Sequence, residues 1–136
     1  MLKSVIIPLL TLCSFNVQSQ LTLGSHNLEG KIIRSNDLNS KSINELLVGI
    51  KGDSLGTGKV YCSNDTGNSW EALNNGKALC DSCTDVQSVC FVDKDTYLAG
   101  TWKNGLYKST NKGGEWSLVE DFPAKDIRCL KRSKLN

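Results

Sequence analysis

The sequence predicts an all-β fold of two to three antiparallel, propeller-type blades arranged as an incomplete or open propeller. Residues 60–73 (VYCSNDTGNSWEAL) and 106–119 (LYKSTNKGGEWSLV) align at a constant offset of 46, placing Tyr61 on Tyr107, Ser63 on Ser109, Gly67 on Gly113 and Trp70 on Trp116. A repeat period in the forties belongs to four-stranded propeller blades or to paired-helix solenoids. In both copies β-branched and aromatic residues precede a Gly/Asn/Asp/Ser turn and a Trp follows it. That is hairpin chemistry, so helical repeats are set aside.

The elements follow in chain order. Met1 to Lys3 give a basic start, Val5 to Phe15 form an apolar run broken by Pro8, and Val17, Gln18 and Ser19 precede a cleavage site. Residues 1–19 therefore read as a secretory signal peptide, with a secreted mature chain starting at Gln20. The apolar run is too short to span a bilayer, and no second candidate follows it. Residues 20–136 read as one repeat domain, with blade-like units about 30–79 and 84–122 and the start of a further unit over 123–136.

Strands are expected near 31–34, 45–50, 58–62, 70–73, 86–92, 96–101, 105–109, 116–119 and 126–130, with Gly/Asn/Asp-rich turns between them. GKIIRSND at 30–37 lines up with GKVYCSND at 58–65, and reads either as a degenerate further copy or as a strand and turn of similar composition. DIRCL at 126–130 echoes DVQSV at 85–89, so a further blade is expected to begin there. Only Ser42 to Leu47 shows a short helix-like apolar period.

Within each turn the physical roles are readable. The Ser63 hydroxyl and the Asp65 carboxylate can bond backbone groups a residue or two along and close a tight loop. Gly67 and Gly113 supply a position where a Cβ would be strained. Trp70 and Trp116 are expected to bury a large apolar face against the hairpin.

SNDTGNSW at 63–70 resembles the Asp-box, or bacterial neuraminidase repeat, whose pattern is Ser-x-Asp-x-Gly-x-x-Trp. STNKGGEW at 109–116 matches it with Asn111 in place of Asp, and YLAGTWKNGLYKSTNKGGEW at 97–116 is similar to the common blade text of that family. The resemblance implies that Ser63, Asp65, Gly67, Trp70, Ser109, Asn111, Gly113 and Trp116 staple the fold and lie away from ligand surfaces.

Length limits the architecture. About 117 residues remain after cleavage, whereas four blades of about 45 residues need roughly 180. An open stack, an assembly of chains and a partial gene product all fit. Exposed sheet edges would favour self-association.

Cys13 leaves with the signal peptide, so Cys62, Cys80, Cys83, Cys90 and Cys129 remain. In an oxidising compartment such thiols usually pair, and an odd number leaves at least one over. Cys80 and Cys83 are expected to form a small disulfide across an inserted loop. Their spacing also fits half a zinc site or a redox pair, but no second pair follows and the sole histidine, His26, is remote in sequence. No cofactor or metal is expected. Asn64-Asp65-Thr66 is a glycosylation sequon in the first turn.

Sialidases, which share the repeat, grip a carboxylate with three arginines. The mature chain has only Arg34, Arg128 and Arg132, none in the matching context, so those roles are not carried over. Other glycosidases with this repeat use paired carboxylates. Here Asp53, Asp81, Asp85, Asp93, Asp95, Glu120 and Asp121 fall mostly in turn-like segments. A net charge of +2 with dispersed lysines favours neither nucleic acid nor membrane. Two functions remain: a secreted non-catalytic binding or scaffold module for a protein or glycan partner, or a degenerate secreted glycoside hydrolase, sialidase- or xyloglucanase-like, without its active site.

Overall fold

A computed structural model describes residues 28–52 and 57–133. The signal-peptide segment and Asp53 lie outside the described residues. Among the described residues, eight strands form two four-stranded antiparallel sheets with identical meander order. The first holds β1 (Ile33–Leu38), β2 (Leu46–Ile50), β3 (Val60–Ser63) and β4 (Glu71–Ala72); the second holds β5 (Val86–Phe91), β6 (Tyr97–Thr101), β7 (Leu106–Ser109) and β8 (Ser117–Leu118). A single 3-10 turn, Asn74–Gly76, leaves the first sheet.

The two sheets stack like adjacent propeller blades, with β1 against β5 and β2 against β5. Leu47, Val60 and Cys62 from the first sheet meet Val86, Val89, Phe91, Tyr97, Ala99 and Tyr107 from the second in one apolar cluster. Phe91 and Tyr97 pack edge to face at 4.9 Å between ring centroids, a favoured aromatic geometry. The opposite face of the first sheet buries Val48, Ile50, Tyr61 and Trp70 together with Leu28. β2 and β5 are consequently buried along almost their whole length rather than alternately exposed, as expected of strands covered on both faces.

Close approach of the sheets depends on glycine. A Cβ on Gly49 would lie 2.7 Å from Val86 Cγ1, and one on Gly100 would lie 2.5 Å from Ile127 Cγ2. The same seat is thus used twice. Ile127 is buried, and its N–H donates to the Thr101 carbonyl at 3.0 Å.

Two sequence expectations are corrected. Residues 126–130 form no strand, because among the described residues no second strand pairs with them; Ile127 docks the segment on the second sheet, through Thr101 and Gly100. Residues 33–38 within the GKIIRSND echo form the first strand of a sheet, not a third strand leading into another Ser-Asp turn. The strand expected near 45–50 is present as β2, where Leu46 and Leu47 find partners on β1 and β3, and turns precede it. The strands that follow the two Trp turns are only two residues long.

Candidate functional site

The two Ser-to-Trp turns close by the same bonds. In the first, Ser63 Oγ donates to Asp65 Oδ1 at 2.8 Å and accepts the Gly67 and Asp65 N–H groups at 2.8 and 3.3 Å. Asp65 Oδ1 also accepts the Ser69 N–H at 2.8 Å, and Trp70 Nε1 donates to the Gly67 carbonyl at 3.1 Å. In the second, Ser109 Oγ and Asn111 Oδ1 are 2.9 Å apart, and Ser109 Oγ accepts the Gly113 and Asn111 N–H groups at 2.8 and 3.4 Å. Asn111 Oδ1 accepts the Glu115 N–H at 2.9 Å, and Trp116 Nε1 donates to the Gly113 carbonyl at 3.1 Å. Gly67 and Gly113 both have positive φ, 88° and 82°, which explains why glycine recurs there.

The turns differ at the second atom of the Asp or Asn side chain. Asp65 Oδ2 accepts the Ser69 hydroxyl at 2.6 Å. Hydrogen bonds from Ser69, first its hydroxyl and then its N–H, with Ser63 added, pull the Asp65 carboxyl down to about 2. Glu115 replaces Ser69, and Asn111 Nδ2 has no acceptor among the described residues. Burial differs as well. Trp70 is 6% exposed, whereas Trp116 is partly buried against the core between the sheets, so the expected burial holds for the first ring and only in part for the second.

Trp116 borders an open groove of about 400 Å³, which Asn74, Lys108, Thr110, Asn111 and Glu115 also line. A second hollow of about 350 Å³ shares Asn74 and Asn111 with it and runs between the blades past Glu45, Glu71 and Tyr97. Its floor is fixed: the Asn74 N–H donates to the Gly113 carbonyl at 2.7 Å, and Asn74, Asn75 and Gly76 all have positive φ. Asn64, the sequon residue, is exposed and lines this hollow.

At the opposite end of the strands Arg34 and Gln87 sit at matching irregularities in β1 and β5 and point at one carboxylate. Asp85, 1% exposed, accepts from Arg34 Nη2 at 3.4 Å and Gln87 Nε2 at 3.3 Å through Oδ2. A bulge re-aims the extra residue, and here both bulges serve the seam between blades. Asp85 is therefore a structural carboxylate rather than a solvated turn residue, which its surroundings in sequence did not signal. Arg128 pairs with Asp126 at 2.9 Å, and Arg132 reaches Ser40 and the Val92 carbonyl, so the arginines do not converge on one ligand position.

Cys80 and Cys83 form the expected disulfide. Cys62 and Cys90 are buried and unpaired, and burial pushes both thiols up to about 11. Among the described residues no cluster of three metal-binding side chains occurs. No helix there is long and apolar enough to cross a membrane.

No family model matches this sequence, and no curated protein matches it. Solved structures do. An ancestral GH74 enzyme is 25% identical with a TM-score of 0.52, over 65% of this chain and 13% of that one. The GH74 xyloglucanase from Xanthomonas campestris is 20% identical with a TM-score of 0.50, over 67% of this chain and 14% of that one. YCF48 from Cyanidioschyzon merolae is 20% identical with a TM-score of 0.48, over 70% of this chain and 26% of that one. The chain thus spans a small fraction of each of these proteins. The likeness shows a fold of propeller-type blades.

Proposed function

We propose that this chain is a secreted, non-catalytic binding module whose blades hold a recognition surface for a glycan or protein partner. The observation that carries the reading is the open groove lined by Asn74 and by the second turn, which short hydrogen bonds to Ser109 Oγ and Asn111 Oδ1 lock in shape. Preorganised walls of this kind reduce the ordering cost of binding. Secretion is supported by the N-terminal charge and apolar pattern and suits the Cys80–Cys83 disulfide. In this reading the Ser, Asp and Gly of each turn are structural, and Asn64 is open to N-linked glycosylation.

A second reading, a degenerate glycoside hydrolase, is favoured by the 25% identity to the ancestral GH74 enzyme. Fold alone does not transfer that activity. The deciding experiment is to assay the mature chain, residues 20–136, for binding to soluble polysaccharides and secreted proteins, with a reducing-end assay run in parallel. Binding without bond cleavage is expected. Release of reducing ends from xyloglucan would overturn the non-catalytic reading in favour of the second.

A further inference from the structure

We infer that the groove beside Trp116 is a binding site for a neutral sugar ring, formed where the second turn departs from the first. The inference rests on the binding-module reading and names its site and ligand class.

In the first turn the side chains satisfy one another: Ser69 Oγ donates to Asp65 Oδ2 at 2.6 Å. In the second, Asn111 and Glu115 stand at those two positions, and that bond is gone. Asn111 Oδ1 alone carries the turn bonds that Asp65 Oδ1 makes. The exchange releases an amide donor, Asn111 Nδ2, and an acidic acceptor, Glu115, and both residues line the groove with Trp116. Two substitutions thus turn a self-contained turn into one that offers hydrogen bonds outward.

The ring between them is fixed and available. Trp116 Nε1 is committed to the Gly113 carbonyl at 3.1 Å, and the ring is only half-buried, unlike that of Trp70. Trp102, an exposed indole, has the Lys103 ammonium 4.9 Å above its ring, whereas no cation sits over the partly buried Trp116 among the described residues. A flat apolar ring flanked by a donor amide, an acceptor carboxylate, the Lys108 ammonium and the Thr110 hydroxyl matches a pyranose. Its C–H face stacks on the indole while its hydroxyls both give and take hydrogen bonds. About 400 Å³ lies within the roughly 300–1,000 Å³ of small-ligand sites and exceeds one sugar ring. Glu115 on the rim disfavours an anionic sugar.

The test is a titration of the isotope-labelled mature chain with glucose, N-acetylglucosamine and cellotetraose, following the indole N–H resonances by NMR. A saturable shift of the Trp116 indole, with Trp70 still, is expected from at least one of the three. The double variant Asn111→Asp with Glu115→Ser transplants the first turn into the second. It should keep or raise the melting temperature while weakening binding at least tenfold. Absence of any Trp116 shift, or binding that the double variant leaves intact, overturns the sugar site. A saturable shift confined to other residues, such as Trp102, also overturns it while leaving the binding-module reading in place. A protein partner that protects Trp116 where all three sugars fail would refute the sugar assignment alone among these readings.

Discussion

Ile127 packs directly over Gly100, so that a Cβ on that glycine would sit 2.5 Å from Ile127 Cγ2 and equally close to Ser88 Oγ. Val86 sits over Gly49 in the same way one blade earlier. The chain after β8 therefore occupies the seat that the first strand of the next blade would take. Gly100→Ala should overpack this seat and cost about 1–3 kcal/mol. Ile127→Ala should cost about 2–5 kcal/mol by leaving a cavity. Urea melts of both variants check this, and two unchanged midpoints would mean that residues 125–132 are not docked on the sheet.

The two turns should respond differently to acid. The Asp65 carboxyl is lowered to about 2 in the folded chain, chiefly by hydrogen bonds from Ser69, against an unfolded value near 3.9. A depressed carboxyl contributes stability that is full above the unfolded value and is lost as pH falls through the folded value. The loss should fall between about pH 4 and pH 2. Asp65→Asn should flatten the thermal-melt profile across that window, while Asn111→Ala should lower the melting temperature without changing the profile's shape.

The sequence shows why so much of the fold was legible before any coordinates. Tyr61, Ser63, Gly67 and Trp70 recur at fixed spacing because the turn is made by bonds between residues two to four apart, and local bonds leave local signatures. The Cys80–Cys83 pair was readable for the same reason. What was not legible depends on distant partners. Whether 126–130 becomes a strand turns on a neighbour to pair with, and the different burial of Trp70 and Trp116 turns on what lies over each blade. Asp85 looked like an ordinary turn acid because its partner Arg34 is 51 residues away. Of the groove residues, Asn111 is visible in sequence as a departure from the repeat, whereas Glu115 occupies a position that the pattern leaves unrestricted.

Asp37 on β1 ties the blades together by accepting the Phe91 N–H of β5 at 2.8 Å. Burial raises its carboxyl above the ordinary value, although the Phe91 hydrogen bond works against that rise. A raised carboxyl costs stability once it must ionise, so the chain should gain stability from this group as pH falls through its folded value. Asp37→Asn keeps an acceptor without the charge and should be neutral or stabilising at pH 7. Asp37→Ala strands the Phe91 N–H and should cost about 1–3 kcal/mol. A melt in which Ala is tolerated as well as Asn would remove this bond from the account of the seam.

The two tryptophans should not be equivalent. Trp70 is 6% exposed and packs with Val48, Ile50 and Tyr61, so Trp70→Ala should cost about 3–5 kcal/mol. Trp116 is half-buried at the groove, and Trp116→Ala should cost about half as much. Equal losses in chemical denaturation would mean that the second ring is as enclosed as the first.

The Cys80–Cys83 disulfide closes a ring holding only Asp81 and Ser82 between its ends. Chain entropy for so short a loop amounts to about 2 kcal/mol. The loop also anchors its neighbours: the Cys83 carbonyl accepts the Gly58 N–H at 2.6 Å, and Ser82 Oγ accepts from Asn104 Nδ2 at 2.9 Å. Cys80→Ser with Cys83→Ser should therefore lower stability by about 2 kcal/mol or slightly more. Reductant should lower the melting temperature of the parent chain to that of the double variant and leave the variant unchanged. Cys62 and Cys90 are not expected to exchange with this bond, because burial holds their thiols at about 11 and starves them of thiolate at neutral pH. Peptide mapping after alkylation of the native chain should find both residues unmodified. Rapid labelling of either would show that the blade seam opens far more readily than its packing implies.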